Sequence, residues 1–287
     1  MREILIKGQL NKFGTFKDFA DEFCLGERDL IMTNEFIYKP FMEQLGLTSQ
    51  IVFQEKFGAG EPSEEMLTDI FNELDPDSYD RIIAVGGGAI MDICKVLSLK
   101  RPSSVHDLYF KKFDVIPEKE LVAIPTTCGT GSEVTNISVA IVKDENGSTT
   151  KLGLVSDLLI PSSVCLIPEL LKTLPYKPFA SSAIDALIHA VESYLSPTRA
   201  TMTSELYGVK AMELILEGFR QIRDEGQDSR FGYLDEYVTA SCYAGIAFLQ
   251  AGCATVHAMS FPLGGTYHVP HGESNYALFG KVLEKYD

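Results

Sequence analysis

Apolar residues fall along this chain in two rhythms, and the rhythm changes once. In the first half, short runs of aliphatic and β-branched residues recur at 3–7, 29–33, 50–54, 81–85, 120–124 and 137–142. Each is short and most are bounded by turn-forming residues, so each predicts a strand. Between several of them the apolar positions are three and four apart, as at 63–74 and 89–99, which predicts amphipathic helices. Such alternation specifies a mostly parallel sheet with helices on both faces. Asn146-Gly147 within Asp144-Glu-Asn-Gly147 suits a tight hairpin. Around 161–168 the character shifts, and from Glu169 on the spacing is helical, at 180–195, 200–225, 233–251 and 254–263. The last stretch, 276–287, reads as a helix cut short, because helical character resumes after Gly280 and no stop signal follows. The expected division is an α/β domain over 1–166 and an all-α domain over 167–287, the second incomplete.

Composition narrows the function. A chain of 287 residues, 45% hydrophobic and 23% charged, can bury a sizeable core. Its formal net charge is −15 and its 25 basic residues do not cluster, which argues against nucleic acid or an anionic membrane as a partner. Six cysteines (Cys24, Cys94, Cys128, Cys165, Cys242, Cys253) lie far apart with no CxxC, as expected of free thiols in a reducing compartment. With no signal peptide and no apolar run long enough to span a bilayer, a cytosolic location is expected.

Two segments suit a nucleotide. Arg81-Ile-Ile-Ala-Val-Gly-Gly-Gly-Ala-Ile-Met-Asp-Ile-Cys-Lys95 is an apolar strand, three glycines and a helix start. Glycines let the backbone approach a ligand closely, and a helix start offers free N–H groups to a pyrophosphate. Alone, it could equally be a tight strand-to-helix turn. Ile124-Pro-Thr-Thr-Cys-Gly-Thr-Gly-Ser-Glu-Val-Thr135 also follows a strand and can line a cofactor with hydroxyls at the carboxyl edge of the sheet. By itself it could be a polar loop capping a helix, with Ser132 and Glu133 as helix-start residues. Together the two favour a dinucleotide.

A third pattern suits a metal. Asp185 and His189 are four apart in an apolar helical stretch and so share one face. Ile184, Leu187, Ile188 and Val191 surround them, and buried polar groups in such a helix need partners. His257 and His271 sit near glycines and prolines. Three imidazoles and one carboxylate are plausible ligands for Fe2+ or Zn2+. His106 reads as a surface residue, and His268 as a residue at the rim of the site.

These segments, in this order, resemble the iron-containing, group III alcohol dehydrogenases. The carriers are Gly86–Lys95, Pro125–Thr135, Asp185–Glu192 and His257 through His271-Gly272. The resemblance implies a Rossmann-like dinucleotide domain followed by an all-helical domain, the dehydroquinate synthase-like architecture, with the active site in the cleft between them. It places Asp185, His189, His257 and His271 as ligands of Fe2+, with Zn2+ the alternative. It places Gly87, Gly88 and Asp92 at the pyrophosphate turn, Thr126 and Thr127 along the nucleotide, and Lys151 near the nicotinamide ribose. The expected reaction is hydride transfer between the alcohol carbon and NAD, the ion polarising the alcohol oxygen.

The stretches Thr33–Pro40 and Gly265–Glu273 are similar to those of members that act on 4-hydroxybutyrate, which implies a short hydroxy acid as the alcohol and succinate semialdehyde as the aldehyde. Lys281 and His268 are candidates to hold its far carboxylate, and Phe261 to line the pocket. A homodimer is expected. Three departures stand out. Phe261 replaces a histidine that many members carry. Asn34, with Glu35 beside it, replaces an aspartate that NAD-preferring members carry, so NADP stays open beside NAD. Several closing helices of the family are missing. The alternatives are a glycerol or other short-chain alcohol dehydrogenase of the same fold, or a nucleotide-binding fragment without activity.

Overall fold

The computed structural model of the chain describes residues 2–144, 146–267 and 269–285, with the side chains of Phe261, Gly264, Gly265 and Thr266 left aside. Two compact units share the chain: Lys7–Thr126 with Asn136–Thr173, and Met1–Ile6 with Thr127–Thr135 and Leu174–Asp287. The first is the α/β unit, and the second is helical.

In the α/β unit the main sheet holds β1 (Gln9–Lys12), β2 (Asp29–Thr33), β3 (Gln50–Phe53), β4 (Arg81–Gly86), β5 (Glu120–Pro125) and, after a hairpin of β6 (Ile137–Lys143) and β7 (Thr149–Val155), β8 (Ser163–Leu166). They pair in parallel in the order β1-β8-β5-β4-β2-β3. Helices α1 (Phe16–Glu22), α2 (Glu35–Phe41), α3 (Glu64–Glu73), α4 (Gly88–Leu97) and α5 (Val105–Tyr109) supply the connections. Strand side chains alternate between two cores: Leu30, Met32, Ile82 and Ala84 in one, Ile31, Ile83, Val85 and Val122 in the other. Burial on both faces is why these strands read as continuous apolar runs.

The sheet differs from the expected one at three places. The run 3–7 forms no strand. Instead the carbonyl and side chain of Glu3 accept hydrogen bonds from Thr201 and Thr203, so this segment caps a helix of the other unit. The run 137–142 is a strand, β6 (Ile137–Lys143), but it pairs antiparallel with β7 (Thr149–Val155) as a separate hairpin. Its turn closes with Gly147 at φ +77 and the Asp144 carboxylate accepting the Asn146 and Ser148 N–H groups. Finally, β1, β7 and β8 were not anticipated. β1 has only one half-buried position among four, and β8 is four residues long.

The helical unit holds α6 (Tyr176–Tyr194), α7 (Met202–Glu225), α8 (Leu234–Ala251), α9 (Thr255–Tyr267) and α10 (His271–Leu283). The fifth expected helix begins earlier than 276, because Pro270 precedes a helix that already includes His271. α6, α9 and α10 meet around Ile188, Val256 and Val282. No helix among the described residues is long and apolar enough to cross a membrane.

Candidate metal centre

Helix α6 presents Asp185, His189 and Glu192 at spacings of four and three, so all three lie on one face. That face is inside the unit: the three are 3%, 4% and 2% exposed. His257, in the first turn of α9, and His271, first residue of α10, bring their rings to it. The Asp185 Oδ1 atom lies 3.6 Å from His257 Nε2 and 3.7 Å from His271 Nε2. His189 stacks on His257 at 4.5 Å and on Phe248 at 5.1 Å. One ligand atom from each of Asp185, His189, His257 and His271 falls within 4.8 Å of all the others. Ligands about 2.1 Å from a tetrahedral ion stand roughly 3.4 Å apart, so the spacing and the donor set fit Fe2+ or Zn2+.

Two of the three rings are held by a partner at the far nitrogen. His189 Nδ1 donates to the Gly129 carbonyl at 3.3 Å, which leaves Nε2 with the lone pair. His257 Nδ1 meets Glu192 Oε2 at 2.7 Å. The same carboxylate accepts the backbone N–H groups of Ala254 and Val256, at 3.1 and 2.6 Å. One buried glutamate thus caps α9 and orients its histidine, the arrangement by which proteins commonly aim an imidazole at a metal. Asn275, four residues after His271 on α10, is fully buried. Its amide nitrogen is 2.7 Å from Asp185 Oδ1, 3.0 Å from His257 Nε2 and 3.3 Å from His271 Nε2. The Asn275 amide thus sits where the Asp185 carboxylate and the inner nitrogens of His257 and His271 converge, the place a cation would take.

The electrostatics follow from this crowding. Burial pushes the Asp185 carboxyl up, but the imidazoles of His189, His271 and His257 more than reverse it, and it ends well below the usual carboxylate range. Burial pushes His189 down to about 4. Burial also disfavours the charged form of His257, but Asp185, Cys253 and Glu192 outweigh it and raise that imidazole to about 12. Cys253 is pushed up by burial and stays a thiol.

The glycines of the Thr-rich loop serve this unit. A Cβ on Gly129 would meet Ser182 of α6 at 2.7 Å, and one on Gly131, at φ +60, would meet the Gly245 Cα of α8 at 2.5 Å. The loop therefore lies directly on α6 and α8, with the Gly129 carbonyl presented to His189. Gly272 packs on the Ser181 backbone in the same manner, so α10 can reach α6. We expect Gly245→Ala to lower stability by about 2 kcal/mol or more, because the added methyl meets the Gly131 backbone at 2.8 Å as well as the Val134 side chain at 2.7 Å. Urea unfolding checks this, and a loss below about 0.5 kcal/mol would show that the crossing relaxes.

In the α/β unit, Gly87 is the N-cap of α4 and Gly88 its first residue, with no side-chain cap. The Asp92 carboxylate accepts the Val139 N–H at 3.0 Å and lies 3.8 Å from the buried Lys95 ammonium. Thr126 is buried and donates its N–H to the Gly86 carbonyl. Thr127 falls in the helical unit. Lys151 pairs with Glu61 at 2.6 Å. Asn34 follows β2 and donates to Gln54 and Glu55. In the helical unit, Lys281 is exposed and pairs with Glu284. His268 and the Phe261 side chain lie outside the described residues. His106 is partly exposed and hydrogen-bonds Glu64 at 2.9 Å. Glu192 and Asn275 were not anticipated as parts of the centre. Their spacing, three after His189 and four after His271, was the available signal.

A chain that carries both a parallel dinucleotide-type sheet and a three-imidazole, one-carboxylate cluster has the equipment of a metal-dependent, nucleotide-linked oxidoreductase. Known proteins agree. The family described as iron-containing alcohol dehydrogenase matches residues 9–168, and its C-terminal part matches 179–287. The 4-hydroxybutyrate dehydrogenase of Clostridium kluyveri is 48% identical over all of this chain and 76% of its own length. Long-chain-alcohol dehydrogenase 1 of Geobacillus thermodenitrificans is 39% identical over 71% of this chain and 51% of its own. The chain thus spans about three quarters of one curated relative and about half of the other. A sulfoacetaldehyde reductase from Bifidobacterium kashiwanohense, solved with NAD+, shares the fold at a TM-score of 0.81 and 24% identity, over 96% of this chain and 74% of that one. The chain belongs to the iron-containing alcohol dehydrogenase family.

Proposed function

We propose that this chain interconverts 4-hydroxybutyrate and succinate semialdehyde, with NAD as the hydride carrier. The observation that carries the reading is the 48% identity to the Clostridium kluyveri 4-hydroxybutyrate dehydrogenase over the whole chain. The cluster of buried Asp185, His189 and His257 with the more exposed His271 supports it. These four residues would hold Fe2+ or Zn2+, which supplies Lewis acidity toward the alcohol oxygen. Glu192 fixes the His257 ring, and the Gly129 carbonyl fixes His189. Gly87, Gly88, Asp92, Thr126, Thr127, Lys151 and Asn34 are the proposed nucleotide-binding set. The nucleotide part is Lys7–Thr126 with Asn136–Thr173, and the metal part is Leu174–Asp287 with Met1–Ile6 and Thr127–Thr135, which departs from the expected single boundary at 166 because the chain's first residues and the Thr-rich loop pack with the helices. Lys281 is the proposed cation for the far carboxylate, alongside His268, and Phe261 would line the substrate pocket. We place the enzyme in the cytosol, on its scattered free cysteines, and as a homodimer.

The expected result is NADH oxidation with succinate semialdehyde by protein loaded with Fe2+ or Zn2+, and its loss in chelator. Turnover of 4-hydroxybutyrate should exceed that of butanol or glycerol at equal concentration. Faster turnover of butanol or glycerol would overturn the substrate assignment but leave the class standing. No turnover with any alcohol after loading would favour a nucleotide-binding fragment.

A further inference from the structure

We propose that Glu55 makes this chain select NAD over NADP, by occupying the position a 2′-phosphate would take. The proposal rests on the nucleotide reading above. In dinucleotide-binding sheets a carboxylate just after the strand beside the glycine turn accepts the ribose hydroxyl and repels a phosphate there. Here β2 is that strand. It pairs with β4, Met32 opposite Ala84, so Asn34 leaves the sheet level with Gly86, where the glycine turn begins. The residue in the acidic place is therefore a neutral amide, and Asn34 alone gives no charge discrimination.

The missing charge comes from the neighbouring strand. β3 pairs with β2, Thr33 opposite Phe53, so Gln54 and Glu55 leave the sheet beside Asn34. The Asn34 amide nitrogen donates to Gln54 Oε1 at 3.3 Å and to Glu55 Oε2 at 2.7 Å. Gln54 is 7% exposed and anchored by its own amide to the Gly58 carbonyl, so its oxygen faces Asn34. Both amide hydrogens of Asn34 are thereby used, and its carbonyl oxygen is the end left to meet a ligand. That oxygen only accepts, so it suits a ribose hydroxyl and not a phosphate. The second oxygen of Glu55 accepts the Glu35 backbone N–H at 2.6 Å. An incoming phosphate would need that N–H and would have to displace a carboxylate of its own sign. The cations nearby in sequence are already committed: Lys39 to Glu35 and Lys56 to Glu73.

The test is equilibrium binding of NADH and of NADPH, followed by nucleotide fluorescence, to wild-type protein and to Glu55→Gln. It needs no turnover. Glutamine keeps one acceptor, for the Glu35 N–H, and removes the charge, while Asn34 stays held by Gln54. Wild type should bind NADH more tightly than NADPH. Glu55→Gln should narrow that ratio by about tenfold or more, through tighter NADPH binding, with NADH affinity held within about threefold. Glu55→Ala should narrow the ratio as well and also weaken NADH, since the Glu35 N–H and Asn34 then both lose their acceptor. An unchanged ratio, or equal weakening of both nucleotides, overturns the proposal while NADH binding stands. Wild-type protein that binds neither nucleotide would overturn the nucleotide reading itself, and this proposal with it.

Discussion

Glu192→Ala is expected to weaken binding of Fe2+ or Zn2+ by about 10–100-fold and to destabilise the ion-free protein by roughly 3 kcal/mol. Both effects come from one carboxylate. Burial pushes Glu192 up, but hydrogen bonds from His257, Ala254 and Val256 more than reverse this, so it is ionised in the folded chain. Truncation leaves the N–H groups of Ala254 and Val256 without their acceptor at the start of α9. It also frees the His257 ring, whose Nδ1 is held at 2.7 Å. A ring free to rotate presents its lone pair to the cluster only part of the time. Glu192→Gln separates the two roles, because its oxygen can still accept a backbone N–H but carries no charge to hold an imidazolium. Competition with a coloured chelator measures the affinity, and urea unfolding measures the stability. Unaltered affinity alongside lost stability would reduce Glu192 to a helix cap.

How much could be read beforehand depends on whether the signal is local. β2, β4 and β5 were legible because parallel strands buried on both faces are continuously apolar. Residue by residue, their periodicity is independent of what lies across the sheet. The strand expected at 3–7 failed because its apolar residues belong to the other unit, where Glu3 caps α7. Nothing local distinguishes those two fates. β1 and β8 were missed because each is four residues long. Asp185 and His189 stood out because buried ionisable groups in an apolar helix demand a reason, and His257 and His271 because they sit near glycines and prolines and complete a ligand set. Glu192, in the same helix, met that first criterion and was passed over, as was the buried amide of Asn275. Each becomes meaningful only when the start of α9 or the ring of His257 is brought against it, a contact across 65 residues for Glu192 and 18 for Asn275. Likewise, Gly129 and Gly131 read as bare backbone for a cofactor. Their packing on α6 and α8 needs the tertiary structure to be seen.

The proton on His257 and the metal ion should compete for one place. In the ion-free protein Asp185, Cys253 and Glu192 raise this imidazole to about 12 against the usual 6.5. A raised folded-state value adds stability that is fully present below pH 6.5 and declines as pH rises toward 12. Over that window the folded chain holds a proton that the unfolded chain has released. The ion-free protein should therefore lose stability steadily from about pH 6.5 upward. Ligation needs the neutral imidazole, so uptake of Fe2+ or Zn2+ at neutral pH should release about one proton, and affinity should rise by about tenfold per pH unit. Calorimetry in two buffers of different ionisation enthalpy counts the proton, and chelator competition between pH 6 and 8 gives the slope. Asp185→Ala sharpens the test. It removes a proposed ligand and also the carboxylate facing the His257 Nε2 atom, so metal binding and most of the pH dependence should vanish together. Affinity independent of pH in the wild type would show that His257 is already neutral, and that Asp185 answers mainly to His189 and His271.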